Sequence, residues 1–421
     1  MKTSVVRSSS HKWAFASHFR RQAFGWRSAL PIQRLKEAVT EIKRAARTDP
    51  LLAADGAVLL LEKISPALEQ VDSSSGALGS AVNRAIDVLV PIIAAPDVTE
   101  SVREAWLERL FDALQEDRMP YIEHLGDLWG QLCGTPSIAS AWAERLLGTT
   151  TRVLGPDGHR EFFTGTTACL SALYGAQRYD ELIRLVDSAR FNWWHYRRWG
   201  VDALMAQGRP AEALRYAQAS QQSNAPLGAV AKACETILLR SGMIDEAYAR
   251  YAIIANEGST HLATFRAIVK KYPHKQPGDV LHDLVASDPG SEGKWFAAAK
   301  DAGLFELAAS LARQSPTDPR TLMRAERAAL DGGGLWLRYY AYRCTRRIRC
   351  NRPCRRNAGY SHGRNQRAYS GSARHARHRS NSGRGSFGTL HPLMRTPARK
   401  RQRASKRVSR IARTALDERT Q

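Results

Sequence analysis

The sequence predicts an all-α protein in which helical hairpins stack on one another. Three observations carry that expectation. Apolar residues recur at the helical period from residue 28 to about 330, and no stretch alternates as a strand does. Two segments, 208–214 and 242–248, align without a gap, with their glycines, glutamates and alanines each 34 residues apart. The formal net charge of +23 is confined to the end of the chain, because 24 of the Lys and Arg but only 2 of the acids fall in residues 336–421. Residues 1–335 are almost neutral. A whole-chain charge argument for nucleic acid is therefore excluded.

Taken in order, Ile32, Leu35, Val39, Ile42 and Ala46 form one apolar stripe, with Pro31 suited to a first helical turn. Asp49-Pro50 ends that helix. Val58, Leu61, Ile64, Leu68 and Val71 predict a second, with a kink expected at Pro66. Residues 72–76, Asp-Ser-Ser-Ser-Gly, read as a turn. Val82, Ile86, Leu89 and Ile93 predict a third helix, strained by Pro91. Ser101 with Glu104 suggests a capping box opening a helix through Val102, Trp106, Leu110 and Leu114. Pro120 is expected to start another, with Ile122, Leu125, Trp129 and Leu132 inward.

Beyond about residue 165 the pattern repeats. Around the two aligned segments lie looser units, Gln177-Arg-Tyr-Asp-Glu181-Leu182 and Gly303-Leu-Phe-Glu306-Leu307-Ala308. In each, a small residue stands at the turn, where glycine allows a left-handed helix exit, and an acid follows where the next helix N-terminus is positive. The spacing resembles the tetratricopeptide-like (TPR-like) repeat proteins over roughly residues 163–312, which implies a short α-solenoid. The front half is similar to an uncharacterised bacterial all-helical family, through residues 19–27, 59–68, 71–76 and 120–123. That family carries no assigned activity. The expected organisation is a basic aromatic arm over 1–27, a helical domain over 28–160, repeats over 161–330 and a tail over 331–421.

The tail should be disordered, since Leu, Ile, Val and Phe supply only 8 of the residues from 336 to 421. It is either a functional Arg-rich arm or the product of a shifted reading frame. The abrupt change in Arg:Lys ratio and the loss of periodicity favour the shifted frame. Cys344, Cys350, Cys354 and His362 lack the short spacing of a zinc clamp, and accidental thiols are the better reading. Cys133, Cys169 and Cys234 stand singly in apolar surroundings, as buried free thiols in a reducing compartment do. The sequence predicts no membrane span, since no stretch approaches the ~18–20 apolar residues one needs and residues 88–95 are interrupted by Pro91. The expected location is cytoplasmic, with no membrane partner.

No phosphate loop, dinucleotide fingerprint, nucleophile elbow or metal-ligand motif is present, so no cofactor, metal or catalytic residue is assigned. The expected function is a non-enzymatic protein–protein interaction or scaffold module that binds a protein or peptide. Its candidate residues are Trp193, Trp194, Tyr196, Arg197, Arg198 and Trp199. On a helix Trp193, Tyr196 and Trp199 would share one flank, with Trp194 and Arg198 on another. Packing between repeats competes with recognition here, and exposure of Trp194 discriminates the two. The alternative is nucleic-acid association through the N-terminal arm and the Arg-rich tail, with Arg20, Arg21 and Arg27 meeting phosphates. That arm, with Trp13, Phe15, Phe19, Phe24 and Trp26, has no acid before Glu37 and is expected to dock on the more acidic body.

Overall fold

The structure, a computed structural model, describes residues 11–155, 162–220 and 226–324, apart from positions 316, 319 and 322. The chain divides into two units, Met1–Pro353 and Cys354–Gln421, and every described residue lies in the first. The readings made for the tail, including its four thiol and imidazole candidates, lie outside the described residues. Among the described residues there are sixteen α-helices and no strand. The protein is all-α.

Helix α1 (Ala29–Ala45) is followed by α2 (Pro50–Leu68), whose N-cap Asp49 accepts a hydrogen bond from the Leu52 N–H at 2.9 Å. Pro66 lies within α2, which runs on to Leu68. Gly76 enters α3 (Ala77–Ala94) with φ of 70°, and the Asp72 carboxylate accepts from the Ser74 N–H, so the expected turn is there. Helix α3 passes through Pro91, which sits in its last turn and removes a single donor. By length and composition it is apolar enough to cross a membrane, contrary to expectation. Its faces differ, however: Leu78, Val82, Ile86, Leu89 and Ile93 are buried, while Asn83, Arg84 and Asp87 are exposed.

Helix α4 (Glu100–Gln115) begins two residues earlier than the sequence suggested, with Thr99 as N-cap, and the Ser101–Glu104 capping box does not form. Glu104 instead accepts from the Trp142 indole N–H at 3.0 Å. Arg103 is buried and donates to the carbonyls of Ile93, Ala94 and Pro96, so it caps the C-terminal end of α3. Residues 123–128 form a 3-10 segment rather than the helix expected from Pro120, and α5 follows (Trp129–Cys133). Ile122, Leu125, Trp129 and Leu132 nevertheless all point into the core.

After α6 (Pro136–Leu154) come paired helices: α7 (Thr166–Gly175) with α8 (Tyr179–Asp187), α9 (Trp194–Ala206) with α10 (Pro210–Ala219), and α11 (Leu227–Arg240) with α12 (Ile244–Ala255). Next are α13 (His261–Lys271) with α14 (Pro277–Ser287), then α15 (Phe296–Asp301) with α16 (Phe305–Gln314). Four of these five hairpins share one turn. Gln177, Gly208, Gly242 and Gly303 have φ of 60°, 72°, 76° and 75°. At each, the following N–H reaches back five residues, Arg178 to Leu173, Arg209 to Leu204, Met243 to Leu238 and Leu304 to Ala299, at 2.9–3.0 Å. This is the Schellman closure of a helix end, after which the next helix starts without a linker. First helices of neighbouring hairpins touch on either side of one break, α7 on α9, α9 on α11 and α13 on α15, so the hairpins stack except between α11 and α13.

The apolar interior forms two clusters, one from Trp13 to Ala203 and one from Val201 to Leu311. They meet on α9, which gives Trp199 and Ala203 to the first and Val201 and Leu204 to the second. Four of the five N-terminal aromatics belong to the first: Trp13, Phe15, Phe19 and Phe24 are buried, whereas Trp26 is exposed. Trp13 lies against Gly56, where a Cβ would fall 2.2 Å from the indole. The Glu41 carboxylate accepts from the Ala14 and Phe15 N–H groups at 2.8 and 3.2 Å.

In the second cluster Glu235 is wholly buried. It accepts from Lys271 Nζ and the Tyr272 hydroxyl, each at 2.7 Å, and from the Asn256 amide at 2.6 Å. A carboxylate in the interior requires such partners. Here they tie α11 to the end of α12 and to α13, where the spacing between left-handed turns lapses. The three described cysteines are free and buried, and burial pushes the Cys133 and Cys169 thiols up to about 12 and about 11.

The left-handed turns make a direct prediction. Gly242→Ala forces a Cβ into φ of 76° and should lower stability by about 1 kcal/mol. Gln177→Gly relieves the same strain at φ of 60° and should raise it by up to about 1 kcal/mol. Urea unfolding of the two variants beside the parent measures both signs.

Candidate functional site

The segment 191–199 does not lie along one helix flank. Trp193 is the N-cap of α9, with φ −69° and ψ 126°, so the backbone is extended up to it and Phe191 and Trp193 stand outside the helix. Tyr196 and Arg197 then donate to the Trp193 carbonyl at 3.0 Å. The expected common flank for Trp193, Tyr196 and Trp199 therefore fails at its first member, because the period of a helix does not apply before the N-cap.

Three of the six candidates serve packing. Trp199 is buried against Tyr174, with ring centroids 5.9 Å apart. Trp194 is half-buried on the second cluster. Arg197 is buried, with its Nε donating to the Ser220 hydroxyl at 2.7 Å and a terminal nitrogen to Asp187 at 3.0 Å. Its guanidinium lies 3.8 Å from the Tyr216 ring centroid, and the Tyr216 hydroxyl donates to the same Asp187 oxygen at 2.7 Å. Arg197 thus clamps α9 to α8 and α10.

Trp193 is exposed, and Tyr196 lies beside it, half-buried on the first cluster. The Phe191, Trp193 and Tyr196 rings form a stacked ladder, with centroids 5.8 and 6.0 Å apart and Trp193 in the middle. With Val153, Leu154, Phe162 and Phe163 they line a pocket of about 100 Å³. Its rim is open: Phe162, Phe191 and Trp193 are 77%, 49% and 58% exposed. The frame beneath is fixed by the Arg190 N–H, which donates to the Leu154 carbonyl at 3.0 Å and joins the end of α6 to the approach to α9. Phe162 and Phe163 carried no repeat signal, and only proximity in the fold brings them to the ladder.

Arg198 joins a polar chain beside this pocket. It donates to Asp127, whose other carboxylate oxygen is 3.2 Å from His124 Nδ1. His124 Nε2 is 2.8 Å from Asp87 on α3. On the near side, His195 Nε2 lies 3.2 Å from the Thr167 hydroxyl and its ring packs on Tyr196 at 5.2 Å. The hydrogen bond with Asp127 raises the His124 imidazole above its ordinary 6.5, against burial and with help from Asp87. Burial pushes the Asp127 carboxyl up, but His124, Arg198 and His195 outweigh it and hold the group below its ordinary 3.8. The chain links α3, the 3-10 segment and α9.

The N-terminal candidates are on the surface. Arg20, Arg21 and Arg27 are exposed, and Arg21 is 3.8 Å from Glu69. Trp26, beside Arg27, is 72% exposed. No group of three or more His, Cys, Asp or Glu residues placed to hold a metal occurs among the described residues.

A titration tests the polar chain. The raised His124 pKa contributes stability that is complete below the unfolded value near 6.5 and is lost as pH rises through the folded value. The lowered Asp127 pKa contributes above about 3.8 and is lost as pH falls through its folded value. The stability gap between the parent and His124→Gln should be widest between about pH 4 and 6.5 and should narrow towards pH 8. Urea midpoints across that range read it. No protein-family model and no curated protein matches the sequence.

Proposed function

We propose that the chain is a non-enzymatic protein-interaction module of TPR-like stacked hairpins, working in the cytoplasm. It takes a protein or peptide partner at the aromatic pocket at the start of α9. The observation that carries this reading is the rim of that pocket, where Phe162, Phe191 and Trp193 are 77%, 49% and 58% exposed. Several large apolar side chains gathered on a surface mark binding sites, and aromatic residues dominate binding hot spots. The pocket's volume of about 100 Å³ suits one bulky side chain, well below the ~300–1,000 Å³ of small-molecule sites. The hairpin stack, the shared left-handed turns and the touching first helices support the TPR-like assignment.

Selection of short random peptides on the full-length protein tests the reading. Selected peptides should lose binding at least tenfold on Trp193→Ala, as expected for a hot spot above about 1.4 kcal/mol. Arg197→Met, which unclamps α9 from inside, should instead lower stability by about 2–3 kcal/mol. Peptides that bind Trp193→Ala as well as the parent contradict the reading.

Exposed Trp26 beside Arg27, with Arg20 and Arg21 close in sequence, favours nucleic acid as a second reading, since an aromatic face amid cations suits a base and its phosphate. Filter binding of single-stranded DNA and RNA to the full chain against salt examines it. The second reading predicts a slope that falls by about two to three contacts in a variant with Arg20, Arg21 and Arg27 all changed to Gln. An unchanged slope removes these residues from the reading.

A further inference from the structure

The outer face of α1 is cationic, and the acids beside it are already engaged. Residues 12–47 hold nine Lys and Arg against two acids. Helix α1 turns Leu35, Ala38 and Ile42 into the core. At about 100° per residue, Gln33, Lys36, Thr40, Lys43 and Arg44 fall within an arc of about 100° on the opposite side. All five are exposed, and four of them, Gln33, Lys36, Thr40 and Arg44, line one shallow depression. Arg47, also exposed, follows in the turn that ends the helix. Lys36, Lys43, Arg44 and Arg47 have no side-chain hydrogen bond or ion pair with any described residue. Both acids lie past the Arg44 edge of the arc and are occupied. Glu37 accepts from Gln33 and Arg34 at 2.9 and 2.8 Å, and Glu41 from the Ala14 and Phe15 N–H groups. A helix C-terminus favours cations in its last turn, which accounts for Lys43 and Arg44 but not for Lys36 or Arg47.

We propose that this face of α1 docks on duplex DNA, held by the phosphate backbone without regard to sequence. The duplex carries one negative charge per about 1.7 Å of axis, and cations that neutralise its phosphates release condensed counterions. The arc holds no aromatic and no large apolar side chain. It therefore offers no platform for unpaired bases and nothing to bury in a lipid surface. The major groove of B-form DNA, about 12 Å wide, admits a helix, whereas that of RNA is deep and narrow. Lys43 and Arg44 are neighbours in the chain but point about 100° apart, so their charges reach phosphates on either edge of the groove. Lys36 extends the contact about 10 Å along the axis from Lys43. The surface is separate from the aromatic pocket and uses none of Arg20, Arg21 and Arg27, so it stands or falls independently of both readings above.

Lysine acetylation of the full-length protein, read residue by residue by mass spectrometry, tests the proposal without confusion from the Arg-rich end of the chain. With a saturating short DNA duplex of mixed sequence at low salt, Lys36 and Lys43 should react about threefold more slowly or less. Exposed Lys232 on α11 and Lys270 on α13 should keep their rates. Added salt should abolish the protection. A variant with Arg44→Gln and Arg47→Gln, which leaves both reporter lysines in place, should lose protection at lower salt than the parent. Single-stranded DNA of the same length, duplex RNA and phosphatidylserine vesicles should each protect the two lysines less than the DNA duplex. Unchanged rates at Lys36 and Lys43 overturn the inference, as does equal protection of Lys232 and Lys270. Protection by the single strand, the RNA or the vesicles that matches or exceeds that by duplex DNA also overturns it.

Discussion

Helix α9 is buried on two sides at once, and the placement of the pocket follows from that constraint. Trp199 and Ala203 face one apolar cluster, and Val201 and Leu204 face the other. A helix with apolar residues on two flanks has little freedom to rotate, because turning it towards one core withdraws side chains from the second. Arg197 fixes the same helix from within through Ser220, Asp187 and Tyr216. What remains outside is its N-terminal approach, with Trp193, and the stripe His195, Arg198 and Asp202. The surface proposed for docking opens at that N-terminal approach, with Tyr196 packed on the first cluster behind it.

The turns supply the second constraint. A Schellman closure satisfies the last carbonyls of one helix and starts the next within two residues. Repeated at four hairpins, it holds paired helices in register without long loops. Where the closure lapses, between Gly242 and Gly303, a buried polar knot around Glu235 joins the helices instead. Directional hydrogen bonds and an ion pair there do the joining that backbone geometry does elsewhere.

Much of this was legible in the residues. Periodicity located the buried faces: Leu35 and Ile42, Val82 through Ile93, and Ile122 through Leu132 are inward as expected. The glycines at 208, 242 and 303 located three of the left-handed turns, whereas nothing in the residue type of Gln177 signalled its positive φ. Local rules failed where tertiary contacts competed. Ser101 and Glu104 have capping-box spacing, but Glu104 is claimed by Trp142. Arg103 reads as a surface residue until the carbonyl end of α3 is placed beside it. Pro91 reads as a breaker but sits where a helix is about to end. The site was half legible. Residues 191–199 announced themselves by aromatic density, yet Phe162, Phe163 and Asp127 come from other elements and no spacing connects them to α9.

The account stands or falls on α9 being a wall common to both cores rather than a tether between independent bodies. Amide hydrogen exchange of the full-length protein, followed by mass spectrometry, measures this directly. Fragments covering α9 should be protected as strongly as those from α7 on one side and α11 on the other, and should lose protection together with them in rising denaturant. Rapid exchange of α9 while α7 and α11 stay closed would contradict the shared-wall account.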